Sequence, residues 1–294
     1  MSSVTARYRE YAPSAPLKSS VRAIFTFAVG WEVGNGSLTQ SEPQHTWEIT
    51  RQRGDPFWSN LFADAHASLV CCVGGSYSIE DLWYPSRPLS HMIGPMSRSH
   101  STTPGASFTQ VGAYFTASGV ADFLKFPVHE LADRVVALED LWGAEALRLE
   151  ERLGELANDP ERVAALEATL LGRLKSRRRH RTGFDLGQLT AYAQQRAGIL
   201  SVAAMADLAG VSRQYLSRTF QDQVGVNPKL FLRLTRFRAL LAASSIGTQH
   251  WADLATRAGF ADQSHMIADF LKFSGSTPAR ITRSNTFHPF RWSP

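Results

Sequence analysis

The sequence predicts an α+β protein: a mostly β, barrel-like N-terminal domain with trailing helices, then an all-α domain of two helix-turn-helix units joined by a helix. Three observations carry this. Short runs of aromatic and β-branched residues, separated by Gly, Pro and Asn, fill residues 1–135. After that the apolar spacing changes to the three-and-four rhythm of helices. Between Ser201 and Pro228 a capped helix, a glycine turn and a second helix follow one another, and their landmarks return fifty residues later. The boundaries this predicts are 1–135 for the β-rich domain, 136–184 for a helical segment and basic linker, 185–284 for the paired units and 285–294 for a C-terminal tail.

In the first domain Val21 to Val29, Ala67 to Val73 and Phe108 to Phe115 read as strands. Gly34-Asn35-Gly36, Gly74-Gly75 and the stretch from Pro95 to Gly105 read as turns or loops. From Glu130 to Leu174 the pattern is helical. Leu149, Leu153 and Leu156 form one apolar stripe, and Val163, Leu166, Leu170 and Leu174 another. Asp159-Pro160 separates them, a capping residue followed by proline at the first helical position. Such stripes either pack on the β-rich domain or pair with a second copy as a homodimer. The basic run Leu174 to Arg181 (LKSRRRHR) then suits either a solvated linker or contacts to phosphates, which add affinity without sequence information.

Ser201 stands where an N-cap should, and Val202, Met205 and Ala206 recur at helical spacing until Gly210, which allows a tight turn. Ser212 is placed to cap the next helix. There Leu216, Phe220 and Val224 define one buried side, while Gln214, Ser217, Arg218 and Gln221 define a polar face. A helix held by its back and presenting such a face is suited to the major groove, where base edges offer donor and acceptor patterns.

The spacing F-x4-G-x2-P occurs twice, as Phe220, Gly225 and Pro228 and as Phe270, Gly275 and Pro278. A turn precedes each, Ala206 to Val211 and Ala255 to Phe260, and the step from the second turn to its Phe is one residue longer. With a connecting helix from about Pro228 to Ser244, this doubled pattern resembles the DNA-binding domain of the AraC/XylS family of bacterial transcriptional regulators over roughly Asp185 to Ser284. The run Gly119 to Leu153, including Leu138-Glu139-Asp140-Leu141-Trp142-Gly143, resembles a cupin-like sensor subgroup more loosely. It departs from that subgroup at Thr116-Ala117-Ser118, where a Pro-Gly pair is usual. The resemblance implies a regulator of transcription, activator or repressor, that binds an operator or promoter in double-stranded DNA and responds to a small-molecule effector. Contact with RNA polymerase is a further expectation.

Carried over by position, the resemblance places base reading on Arg213, Gln214, Ser217 and Arg218, with Ser212, Tyr215 and Asn227 as contacts to the DNA backbone or as caps. Arg218 is the strongest of these, because a guanidinium matches O6 and N7 of guanine; Gln214 can pair with adenine in the same way. In the second unit the positions of Gln214, Ser217, Arg218 and Gln221 are filled by Ser264, Ile267, Ala268 and Leu271. Gln263 and Ser264 remain able to reach a base or phosphate, and Ile267 to touch a thymine methyl. Asp269, beside them, is expected to be unfavourable near phosphate. The first unit is therefore the expected principal reader, with the second positioning the protein or meeting a partner. On the connecting helix Phe231, Leu234 and Phe237 form the expected core face, with Arg233 and Arg236 solvated or bridging to acidic groups.

Composition agrees. A net charge of +5 divides into +12 from Arg173 onward and −7 before it, so only the C-terminal part is built for a polyanion. The 44% hydrophobic content is that of a globular chain, no apolar run has membrane-spanning length and no signal-peptide core opens the chain, so a cytoplasmic protein is expected. Cys71 and Cys72 are adjacent and cannot join distant segments. His45, His66, His91, His100 and His129 show none of the close spacings of paired metal ligands, so neither metal nor cofactor is expected. Trp47, Trp83 and Tyr84 are candidates to line an effector pocket, though large rings equally fill a barrel core. The competing reading is a metal-dependent or enzymatic cupin-like domain with a DNA-binding tail; a non-enzymatic regulator is expected.

Overall fold

The computed structural model describes residues 3–30, 45–52, 61–79, 81–82, 90–175, 183–244, 255–256, 258–260 and 262–278. Seven strands form one antiparallel sheet: β1 (Ser3–Tyr11), β2 (Val21–Gly30), β3 (His45–Gln52), β4 (Ser68–Ile79), β5 (His91–Ile93), β6 (Thr102–Phe115) and β7 (Val135–Ala137). Their order is β3-β1-β2-β6-β4-β5-β7. Side-chain alternation divides the sheet into two faces. On β6, Val111, Ala113 and Phe115 join one core, and Phe108 and Tyr114 the other.

The first of these faces is covered by α1 (Leu138–Trp142), α2 (Ala144–Glu155) and α3 (Asp159–Lys175). Both predicted leucine stripes lie there: Leu149, Leu153, Leu166 and Leu170 are buried with Ile24, Leu69 and Val111. Burial of each such side chain contributes roughly 1.5–3 kcal/mol. Of the two expected uses of these stripes, the chain adopts packing on the sheet. Asp159 is not the cap of α3. Asn158 takes that place, its Oδ1 accepting from the Glu161 amide at 3.0 Å. Asp159 instead turns to the sheet, where the Thr26 hydroxyl donates to it at 3.1 Å and Arg9 pairs with it at 3.5 Å.

The strands outrun their predicted ends. Gly74-Gly75, expected as a turn, lies inside β4, where the register against β6 shifts between Cys72 and Gly74 and again between Gly75 and Tyr77. One type of bulge takes a glycine in the left-handed region, as several tight turns do, and Gly75 has φ +68°, so the sequence signal is shared. Likewise 102–105, expected as loop, begins β6, with Pro104 opposite Tyr77. The Gly34-Asn35-Gly36 turn and the basic run from 176 to 181 lie outside the described residues.

The C-terminal part comprises α4 (Leu186–Gln195), α5 (Val202–Ala209), α6 (Arg213–Gln223), α7 (Pro228–Ser244) and α8 (Gln263–Ser274). Phe220, Phe231, Phe237, Phe270 and Phe273 are fully buried at its centre. Phe237 of the connecting helix meets Phe270 edge-on with ring centroids 5.1 Å apart, and Phe220 meets Phe231 likewise at 5.4 Å. The two predicted units thus share one core. Phe62, Ala63 and Ala65, from the segment before β4, belong to that core as well. Among the described residues no helix is long and apolar enough to cross a membrane.

Candidate nucleic-acid interface

Helix α6 is delivered by local chemistry. Ser201 caps α5 by accepting from the Ala204 amide at 3.0 Å, Gly210 ends α5 at φ +65°, and Ser212 caps α6 by accepting from the Tyr215 amide at 3.1 Å. Leu216, Phe220 and Val224 then bury one side. Arg213, Gln214, Tyr215, Arg218 and Gln221 are exposed, and Ser217 is half-buried. Asn227 is a cap, its Oδ1 accepting from Leu230 at 2.9 Å at the start of α7.

Helix α8 repeats this construction. Asp262 replaces Ser212 as the cap, accepting from the His265 amide at 2.7 Å, and Gly259 and Gly275 hold the positive φ values at either side. From 263 to 271 its burial follows that of 213 to 221 position by position. Gln263, Ser264, His265, Ala268 and Leu271 are exposed, Ile267 is half-buried, and Met266, Asp269 and Phe270 are buried. The expectation that Asp269 would confront phosphate is overturned. It lies at the place of Thr219, only 2% exposed, and both its oxygens accept from Arg233 of α7.

Three arginines of α7 serve inside the protein. Arg233 holds α8 through Asp269. Arg236 donates to the carbonyls of Gly198 and Gly259, at 3.2 and 3.3 Å, and so ties the loop between α4 and α5 to the turn that precedes α8. Arg238, 4% exposed, donates to Asp64 at 2.5 Å. Asp64 in turn accepts from Nδ1 of His66 at 2.7 Å, and the His66 Nε2 meets the Gln194 amide of α4 at 2.8 Å. Burial alone would raise the Asp64 pKa, but the Arg238 guanidinium and His66 overcome this and hold it well below the usual carboxylate range. This cluster joins the β-rich domain to the helical one. Sequence reasoning missed it because Asp64 and Arg238 stand 174 positions apart with no spacing to link them.

The β-rich domain grips the backs and ends of the recognition helices. The Ala63 amide donates to the Phe273 carbonyl at 2.9 Å, and 3-10 turns at Gly119–Phe123 and Val128–Leu131 pack on α6. Gly225, at φ +87°, sits so close to Val128 and Pro95 that a Cβ there would meet them at 2.9 and 3.0 Å. Among the described residues nothing covers the exposed faces of α6 and α8.

The second face of the sheet is aromatic. Tyr8, Phe25, Phe27, Phe108 and Tyr114 are buried on it, Phe25 stacking on Tyr114 at 4.5 Å. The Tyr8 hydroxyl donates to Glu10 at 2.5 Å, and the Tyr77 hydroxyl and His91 Nε2 share a hydrogen bond of 2.6 Å. Burial pushes the Tyr8, Tyr77 and Tyr114 hydroxyls above their ordinary pKa, so they stay neutral. Gln110 shares the face by alternation with Phe108 and Tyr114, and its buried Nε2 has no hydrogen-bond partner among the described residues. Trp47 lies on β3 opposite Tyr8 in register; Trp83 and Tyr84 lie outside the described residues. Among the described residues no group of three or more His, Cys, Asp or Glu is placed to hold a metal ion.

Residues 205–284 match the family model of a helix-turn-helix domain, and residues 9–137 match a family described as a domain of unknown function, DUF6597. No curated protein matches the chain. Solved structures similar to it include ToxT from Vibrio cholerae, at 11% identity over 78% of this chain and 94% of that one, with a TM-score of 0.45. The DNA-binding domain of AdpA, a global transcriptional factor solved with a target DNA, is 23% identical over 34% of this chain and 90% of its own, with a TM-score of 0.32. The xylose-binding transcription activator XylR is 18% identical over 43% of this chain and 39% of its own, with a TM-score of 0.33.

Proposed function

We propose, starting from the AraC-type helix-turn-helix domain at the C-terminal end of the chain, that this protein is a sequence-specific DNA-binding regulator of transcription whose β-rich domain answers to a small-molecule effector. One observation carries the DNA-binding part: two helices, built alike and held to one connecting helix, present equivalent faces that are exposed among the described residues. On α6 that face carries Arg218 and Gln214, the side chains suited to guanine and adenine. Arg213 and Ser217 complete it, and exposed Tyr215 and Ser212, at the start of the helix, are the side chains we assign to phosphates. The test is selection of bound sequences from a randomised DNA pool by the full chain, followed by titration of the enriched operator. Arg218→Ala should cost roughly 1–3 kcal/mol of discrimination at one base pair. Uniform weakening across all sequences would reduce Arg218 to a phosphate contact.

The effector is assigned to the aromatic face of the sheet. A buried amide nitrogen without a partner among the described residues is costly, so a ligand lodged among these rings that accepts a hydrogen bond from Gln110 would relieve that cost. Binding can shift the DNA-binding arrangement only if the ligand prefers one placement of the two domains. A thermal-shift screen of small aromatic and apolar compounds tests this, with Gln110→Leu expected to abolish the stabilisation by any hit.

A further inference from the structure

We infer that the second helix-turn-helix unit reads its part of the operator through thymine methyl groups, with Ile267, Ala268 and Leu271 standing where the first unit presents Ser217, Arg218 and Gln221. The inference rests on the DNA-binding reading above and names the base chemistry of its second half.

The apolar face of α8 is a reading face by position. The correspondence in burial runs unbroken from 263 to 271, so these three side chains have the solvent access that Ser217, Arg218 and Gln221 have on α6. Leu271 is 53% exposed, among the most exposed large apolar side chains described. On the major-groove edge of a base pair the thymine C5 methyl is the group that takes an apolar contact, and Ile, Ala and Leu offer it no competing donor or acceptor. The carboxylate that would spoil such a surface is turned inward, because Asp269 is spent on Arg233. Gln263 and Ser264 remain exposed at the N-terminal end of the helix, where polar contacts to a base or a phosphate are within reach.

A protein partner could also use an exposed leucine. Helix α8 is not free to choose, however. Asp269 ties it to α7, the Arg236 bonds tie the flanking turns together, and Phe237 packs against Phe270 and Phe273. A DNA that receives α6 therefore meets α8 at a fixed offset.

The experiment uses the full chain and an operator enriched from a randomised pool, in which each thymine is replaced in turn by uracil. Uracil keeps the pairing edge and lacks only the methyl. We expect a cluster of sensitive thymines about one helical turn, roughly 10 base pairs, from the guanine that Arg218 reads. Each contacted methyl should be worth about fourfold in affinity, the scale of one buried methylene. Replacing exposed Leu271 by Gln and Ala268 by Ser should erase the sensitivity of the thymines those two side chains meet and leave the Arg218 guanine as selective as before. An operator bound equally well with uracil at every position overturns the inference while the DNA-binding reading stands. So does loss of polymerase recruitment in the Leu271 variant with uracil sensitivity unchanged, which would make this face a protein contact. Failure to enrich any sequence removes the DNA-binding reading and the inference together.

Discussion

Asp262 shows how one residue can hold two roles that conflict. It caps α8 through the His265 amide and favours the helix N-terminus, yet it puts a negative charge where the first unit has only the hydroxyl of Ser212. A Ser side chain caps about as well as Asp, so Asp262→Ser should leave stability nearly unchanged. It should tighten binding to any DNA sequence by up to about fivefold at low salt, the scale of an exposed charge interaction. The gain should shrink as salt is added; a gain confined to one operator sequence would place Asp262 near a base instead. Arg236 illustrates the opposite case, a cation expected to be solvated or to bridge to an acid and instead consumed by two carbonyls. Part of the positive excess after Arg173 is therefore internal, and the charge available to DNA is smaller than composition suggests.

At the scale of elements, the units with local signals were legible and those fixed by long-range pairing were not. Caps, glycine turns and the F-x4-G-x2-P spacing are properties of neighbouring residues, which is why α5, α6 and α8 stand where the pattern predicts. Strand β1 carries no turn signal that separates it from the segment around it, and β3, among the described residues, takes its place by pairing with β1. The site divides in the same way. The exposed polar face of α6 follows from spacing within one helix, whereas the inward turn of Asp269 depends on Arg233, 36 positions away. Gly225 joins the two kinds of information, since its positive φ belongs to the end of α6 and its bare Cα to the packing of Val128 and Pro95. Gly225→Ala should therefore do more than the roughly 1 kcal/mol that a left-handed residue costs. Hydrogen exchange is expected to rise in the 3-10 turn at 128–131 as well as in α6, and a change confined to α6 would show the contact to be incidental.

For the whole molecule, the β-rich and helical domains meet through a few groups around Asp64 as well as through the 3-10 turns packed on α6. Phe62 packs edge-on against Phe237 at 6.1 Å, Asp64 pairs with Arg238, and His66 reaches Gln194, so one short segment touches α4, α7 and, through Ala63, the end of α8. Removing one partner of a buried pair is far more harmful than removing both. Asp64→Ala leaves the guanidinium of Arg238 in a site where it is 4% exposed and should cost about 3–5 kcal/mol in urea unfolding of the full chain. Asp64→Leu combined with Arg238→Met should recover most of that loss. The pair also sets a pH dependence. Because the folded state holds Asp64 below its ordinary pKa of about 3.9, its stabilisation is complete above that pH and is lost as the pH falls toward the folded value. Between pH 5 and 8 Asp64 should contribute no slope. If an effector acts by separating the domains, the apolar double variant, which no longer pays to desolvate a charge pair on reclosing, should respond to the same ligand with a smaller change in DNA affinity than the native chain. An unchanged response would place the coupling elsewhere, on the contacts between the 3-10 turns and α6.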